Sequence, residues 1–109
     1  MEDKIEQEEK AKEKDKELEN IKRVHVFISG KVQGVFFRAF VNRNAEELQL
    51  KGWVKNTGDG RVEAVFEGDE RAIKKIIELC NEGPAGAKVE NVEYKEEEPI
   101  GEKGFEIRY

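Results

Sequence analysis

Along this chain the spacing of apolar side chains switches between period two and a helical period, and the order of the switches is what most restricts its fold. Val24, Val26 and Ile28 alternate with His25, Phe27 and Ser29, which predicts a first strand. After a bend at Gly30, Phe37, Phe40, Val41, Ala45 and Leu48 recur at helical spacing, opposite Asn42, Arg43, Glu46 and Glu47, in a helix expected to end near Gln49. Residues 52–56 and 61–66 read as strands that pair through the short turn Gly58-Asp59-Gly60. Asp69 is placed to cap a second helix carrying Ile73, Ile76, Ile77 and Cys80 on one face, and Gly83-Pro84 stops it. Residues 89–94 read as a fourth strand, 96–104 as an acidic loop, and Phe105, Ile107 and Tyr109 as an alternating terminal strand. The order βαββαβ plus a strand predicts an α+β fold, the ferredoxin-like sandwich, with two helices on one face of an antiparallel sheet. The first two strands are expected to be neighbours.

Charge divides the chain of 109 residues unequally. Residues 1–22 carry a net −3 of the total −5, with Ile5, Ala11, Leu18 and Ile21 almost their only apolar side chains. They are expected to form a charged extension, helical or disordered, preceding a folded domain over 23–109. The acidic balance lacks the block of Lys and Arg from which a nucleic-acid binder draws its affinity, so nucleic acid is not expected as a partner. No apolar run approaches the roughly 20 residues of a membrane span, and the acidic N-terminus is unlike a signal peptide. Cys80 stands alone, which predicts a reduced, cytoplasmic protein. With one His and one Cys, the sequence offers no nucleophilic triad, metal cage or nucleotide loop, so neither metal nor cofactor is expected.

The chemistry concentrates in Gly30-Lys31-Val32-Gln33-Gly34-Val35-Phe36-Phe37-Arg38. Where a strand stops and a helix starts, the first backbone N–H groups have no helical partner and the helix dipole adds positive potential. The backbone of Gly34, Val35, Phe36, Phe37 and Arg38 is therefore a candidate cradle for an anion, with phosphate or sulfate as its ligand. Gly34 permits the bend. A guanidinium in the first turn of a helix opposes the dipole, so Arg38 favours an anionic partner, to which it offers a planar fork of donors. Asn56, ending the second strand, has an amide that both donates and accepts; before Thr57-Gly58 it also reads as a plain turn residue.

The bend motif, followed by Gly52-Trp53-Val54-x-Asn56, by Asp59-Gly60-x-Val62-Glu63 and by the ending Phe105-x-Ile107-Arg108-Tyr109, resembles the acylphosphatase family over about residues 24–109. The resemblance implies an enzyme that hydrolyses the carboxyl-phosphate anhydride bond of small acyl phosphates to carboxylate and inorganic phosphate. It implies that Arg38 grips the phosphoryl oxygens and Asn56 orients the attacking water, with no covalent intermediate. Physical reasoning agrees: an acyl phosphate has a good leaving group, so a site need only position water and neutralise phosphoryl charge. A free-standing, monomeric enzyme is expected. Two other readings fit the pattern: a non-catalytic phosphate-binding module on the same fold, and an RNA-recognition domain. The second is disfavoured, because the aromatics follow strand one on a helix and residues 61–66 lack a stacking pair.

Other polar and aromatic residues receive plainer readings. His25 is expected on the open sheet surface, Trp53 and Phe37 in the core, and Cys80 in the core on the second helix. Lys55 is expected in solvent, Thr57 in a local hydrogen bond, and Glu96 to Glu98 in a solvated loop.

Overall fold

In a computed structural model that describes residues 20–109, the chain runs β1 (Ile21–Lys31), α1 (Phe37–Glu47), β2 (Lys51–Asn56), β3 (Val62–Asp69), α2 (Glu70–Glu82), β4 (Lys88–Glu97) and β5 (Phe105–Arg108). The strands form one sheet in the order β4-β1-β3-β2-β5. Residues 1–19 of the charged extension lie outside the described residues. Residues 21 and 22, expected in that extension, belong to the sheet: β3 continues to Asp69 and supplies Ile21 and Lys22 with partners at Asp69 and Gly68.

Alternation along the strands sorts side chains onto two faces. Val24, Val26, Ile28, Val54, Val62, Ala64 and Phe66 pack with Phe37, Val41 and Ala45 of α1 and Ile73, Ile76 and Cys80 of α2, all 5% exposed or less, forming the one core of a two-layer sandwich. The helices therefore cover one face, as the periodicity predicts. Asp69 accepts the Arg71 backbone N–H at 2.8 Å, capping α2 as expected. Cys80 is fully buried in that core, and burial pushes its thiol pKa up to about 12.

The open face carries Trp53. This residue is buried, but on the side away from the helices, where the cations of Lys55 and Arg108 lie 5.6 and 4.7 Å from its ring centre and His25 meets it edge-on. Long cationic side chains bury apolar stems while their charges stay wet, so they can roof an aromatic without forming a core. Lys55 is thus not simply solvated; it also lies 3.6 Å from Glu63. His25 does sit on this face, 2.6 Å from the same glutamate.

The order of strands corrects a second expectation. β1 and β2 are not neighbours, because β3 lies between them, antiparallel to both. Hairpin pairing claims the inner side of β2 for β3, and the crossover through α1 carries the chain past that position. On its other side β2 pairs with β5 in parallel, so the sheet is mixed rather than wholly antiparallel.

Glu96 and Glu97, expected in a loop, belong to β4; Glu98 is exposed as expected, and the acidic loop that follows is tied down although largely exposed. Glu67, 5% exposed, accepts the backbone N–H groups of Ile100, Gly101 and Glu102 at 2.6, 2.9 and 2.7 Å. Arg23 pairs with Glu97 at 3.3 Å and Glu102 at 2.9 Å. Glu67→Gln would turn an amide nitrogen toward N–H donors and remove the charge that binds them. It is expected to cost about 2 kcal/mol, read as a lower urea midpoint at unchanged m-value.

Candidate active site

The site begins where β1 leaves the sheet. Val32 stays buried, and Gln33 then reaches across to donate from Nε2 to the carbonyls of Thr57 and Arg61, both at 2.8 Å. These bonds lash the loop to the β2–β3 turn. The turn is itself closed by hydrogen bonds between Thr57 and Arg61, as expected for Thr57. Arg61 and Thr57 also hydrogen-bond Asp59 and hold its carboxyl pKa down at about 2.

Beyond Gln33 the backbone twice enters the left-handed region, at Gly34 (φ 75°) and at Phe36 (φ 61°). A Cβ at Gly34 would meet no heavy atom within 4 Å, so the glycine answers a backbone need and faces open space. The N–H groups of Gly34, Val35 and Phe36 donate to no backbone acceptor among the described residues, and the first bond of α1 runs from the Phe40 N–H to the Phe36 carbonyl at 3.0 Å. The N–H groups of Phe37, Arg38 and Ala39 precede that bond, as at any helix start. No acidic side chain occupies the first turn of α1.

Register brings Asn56 to this loop although β3 intervenes. Val62 pairs with Ile28 on one side and Asn56 on the other, so the three lie in one row. Two strand spacings separate the ends of the row, about 10 Å. β1 and β2 run parallel, each antiparallel to β3, so the loop leaving β1 and the residue ending β2 emerge at the same sheet end. A cavity of about 310 Å³ opens there, lined by Val32, Gly34, Phe36, Phe37, Arg38, Ala39, Asn56, Ile107 and Tyr109. Of the predicted residues only Val35 is missing from that lining, and it is half-buried against the core.

Arg23, Arg43, Arg61, Arg71 and Arg108 each lie beside a carboxylate. Among the described residues Arg38 has none; its guanidinium carbon instead stands 4.8 Å from the ring centre of Tyr109. The Asn56 amide likewise has no described hydrogen-bond partner. Although 41% of the chain is charged, no carboxylate of the described residues pairs with this cation at the cavity mouth. Sequence reasoning gave no role to Gln33 or Tyr109. A polar side chain lodged between Val32 and Gly34 was the available signal for the first. Nothing local marked the second, which reaches Arg38 through the parallel pairing of β5.

An open-faced ferredoxin-like sandwich whose cavity holds a guanidinium and a carboxamide, neither with a polar partner among the described residues, has the makings of a small-anion enzyme. The sequence profile of the acylphosphatase family matches residues 24–107. The chain is 58% identical over 83 residues to an acylphosphatase of Chloroflexus aurantiacus, covering 76% of this chain and 90% of that one. With an acylphosphatase of Rubrobacter xylanophilus it shares 55% identity over 89 residues, 80% of either chain. The structure of an acylphosphatase from Coxiella burnetii superposes with a TM-score of 0.81 at 46% identity, over 84% of this chain and 97% of the other. This chain belongs to the acylphosphatase family, and it is a hydrolase acting on the anhydride bond of acyl phosphates.

Proposed function

We propose that the enzyme holds the phosphoryl group of its substrate between the Arg38 guanidinium and the backbone N–H groups of residues 34–38, while Asn56 holds the attacking water. The observation that carries this reading is Arg38 itself, a cation without a carboxylate partner among the described residues, in one cavity with a free asparagine amide. The guanidinium fork and the helix-start N–H groups together oppose the charge on the phosphoryl oxygens, where it remains high as the bond to the acyl oxygen lengthens. Asn56 accepts from the water through its carbonyl and fixes its direction of approach without removing its proton beforehand. Water attacks phosphorus, the bond to the bridging oxygen breaks, the carboxylate leaves, and a phosphoryl oxygen takes the proton. In isotopically labelled water the label should then appear in phosphate and not in the carboxylate.

No step in this scheme forms a bond to the protein. Among the described residues the cavity lining carries no side-chain carboxylate, imidazole or thiol, and charge neutralisation falls to Arg38 and the backbone. Hydrolysis of benzoyl phosphate is therefore expected to proceed at full rate in EDTA and to be competitively inhibited by inorganic phosphate. Activity abolished by the chelator and restored by a metal would overturn the scheme. Arg38 and Asn56 line the cavity from one chain, which is consistent with a monomer as the acting unit, and the acidic net charge supports a small anion rather than nucleic acid as the ligand.

A further inference from the structure

Two large aromatic side chains at the cavity are left almost wholly uncovered. Phe36 is 85% exposed and Tyr109 97% exposed, although Phe37, the next residue along, is 2% exposed in the core. Phe36 also holds a left-handed backbone conformation, φ 61° and ψ 27°. Gly or Asn meets that requirement with less strain, and a bulky ring meets it poorly. The ring is in neither ring–ring stacking nor a cation contact among the described residues. Neither the backbone nor the packing calls for a phenylalanine here. Tyr109 touches Arg38, but a tyrosine so exposed leaves most of its ring uncovered.

Both rings border the cavity that holds Arg38 and Asn56, and Ile107 and Val32 add an aliphatic wall. In an acyl phosphate a single oxygen joins phosphorus to the acyl carbon. A phosphoryl group on Arg38 therefore places its acyl substituent only a few ångströms away, at the mouth where the two rings stand. We propose that Phe36 and Tyr109 form a subsite for the acyl group, which makes this enzyme selective for acyl phosphates with an apolar, ring-sized acyl group over acetyl or carbamoyl phosphate. The volume fits, since about 310 Å³ lies at the small end of the roughly 300–1,000 Å³ of small-molecule sites. So does the chemistry. A ring laid against Phe36 covers apolar surface that otherwise faces water, whereas a methyl or amino group covers little of it. The subsite rests on the phosphoryl reading of Arg38, because the position of the acyl group follows from it.

The test compares kcat/KM for benzoyl and acetyl phosphate in the full chain and in Phe36→Asn, Tyr109→Ser and Phe36→Tyr. Asparagine tolerates the left-handed backbone, so the first variant removes the ring without straining the loop. The ratio of the two substrates within one protein cancels general damage to the cradle, and its change between proteins cancels their intrinsic reactivities. The benzoyl-to-acetyl ratio is expected to fall about tenfold in Phe36→Asn, by about threefold in Tyr109→Ser, and to stay within about twofold in Phe36→Tyr. A ratio unmoved in both ring-removing variants, with both substrates still hydrolysed and phosphate still competitive, overturns the subsite alone. Failure of phosphate to compete in the unaltered protein overturns the phosphoryl reading, and the subsite with it.

Discussion

Arg38→Gln is expected to lower kcat/KM for benzoyl phosphate by about 100-fold or more, a loss of about 3 kcal/mol of transition-state stabilisation. It should weaken competitive inhibition by inorganic phosphate as well. Both effects follow from one feature: the guanidinium meets the phosphoryl oxygens in the ground state and more strongly in the transition state. Glutamine keeps much of the reach and some hydrogen bonding but has no charge. Lysine restores charge without the planar fork, so Arg38→Lys should recover only part of the loss. The fold should not suffer, since Arg38 makes no described ion pair and its contact is with an exposed ring. Circular dichroism checks that point, and steady-state kinetics with a phosphate titration check the rest. Turnover by Arg38→Gln within about tenfold of the unaltered enzyme would exclude the arginine as the phosphoryl ligand.

Asn56→Ala should separate binding from turnover. Its amide is assigned to the water and not to the phosphoryl group, so kcat should drop by about 100-fold while the affinity for phosphate stays within about threefold. The backbone at residue 56 is held by pairing with Val62, and the turn beyond it by Thr57, Arg61 and Gln33, none of which uses the Asn56 side chain. Misplacement of the strand end is therefore not the expected cause of a loss. Near-normal kcat would remove the water-orienting role, and a parallel loss of phosphate affinity would reassign the amide to substrate binding.

Legibility in the sequence followed the range of the interaction concerned. Val24 to Ile28, the helix pattern from Phe37, the Asp69 cap and the glycine turn before Arg61 each depend on neighbours a few residues away, and each formed where its pattern indicated. Trp53 is buried as expected, but what covers it comes from elsewhere: Lys55 two residues along the strand and Arg108 from another strand altogether. A single side chain's apolarity predicts that it will be covered, but not by which face or by what. Glu97 carries the same lesson with opposite chemistry. A glutamate in an acidic run reads as solvated until an arginine from β1 meets it.

In the candidate site, the sequence by itself determined the parts: a strand-to-helix bend, a glycine able to adopt positive φ, an arginine in the first turn, and an asparagine closing a strand. Those follow from backbone geometry and local charge. Tertiary structure alone decided how they meet. Strand β3 was inserted between the two strands expected to be neighbours, and parallel exit from β1 and β2 still brought Arg38 and Asn56 to one cavity. Parallel pairing of β5 with β2 then carried Tyr109 over the guanidinium. The physical reason is register: which strand ends share a sheet end depends on pairing among residues far apart in the chain, and no local pattern encodes it.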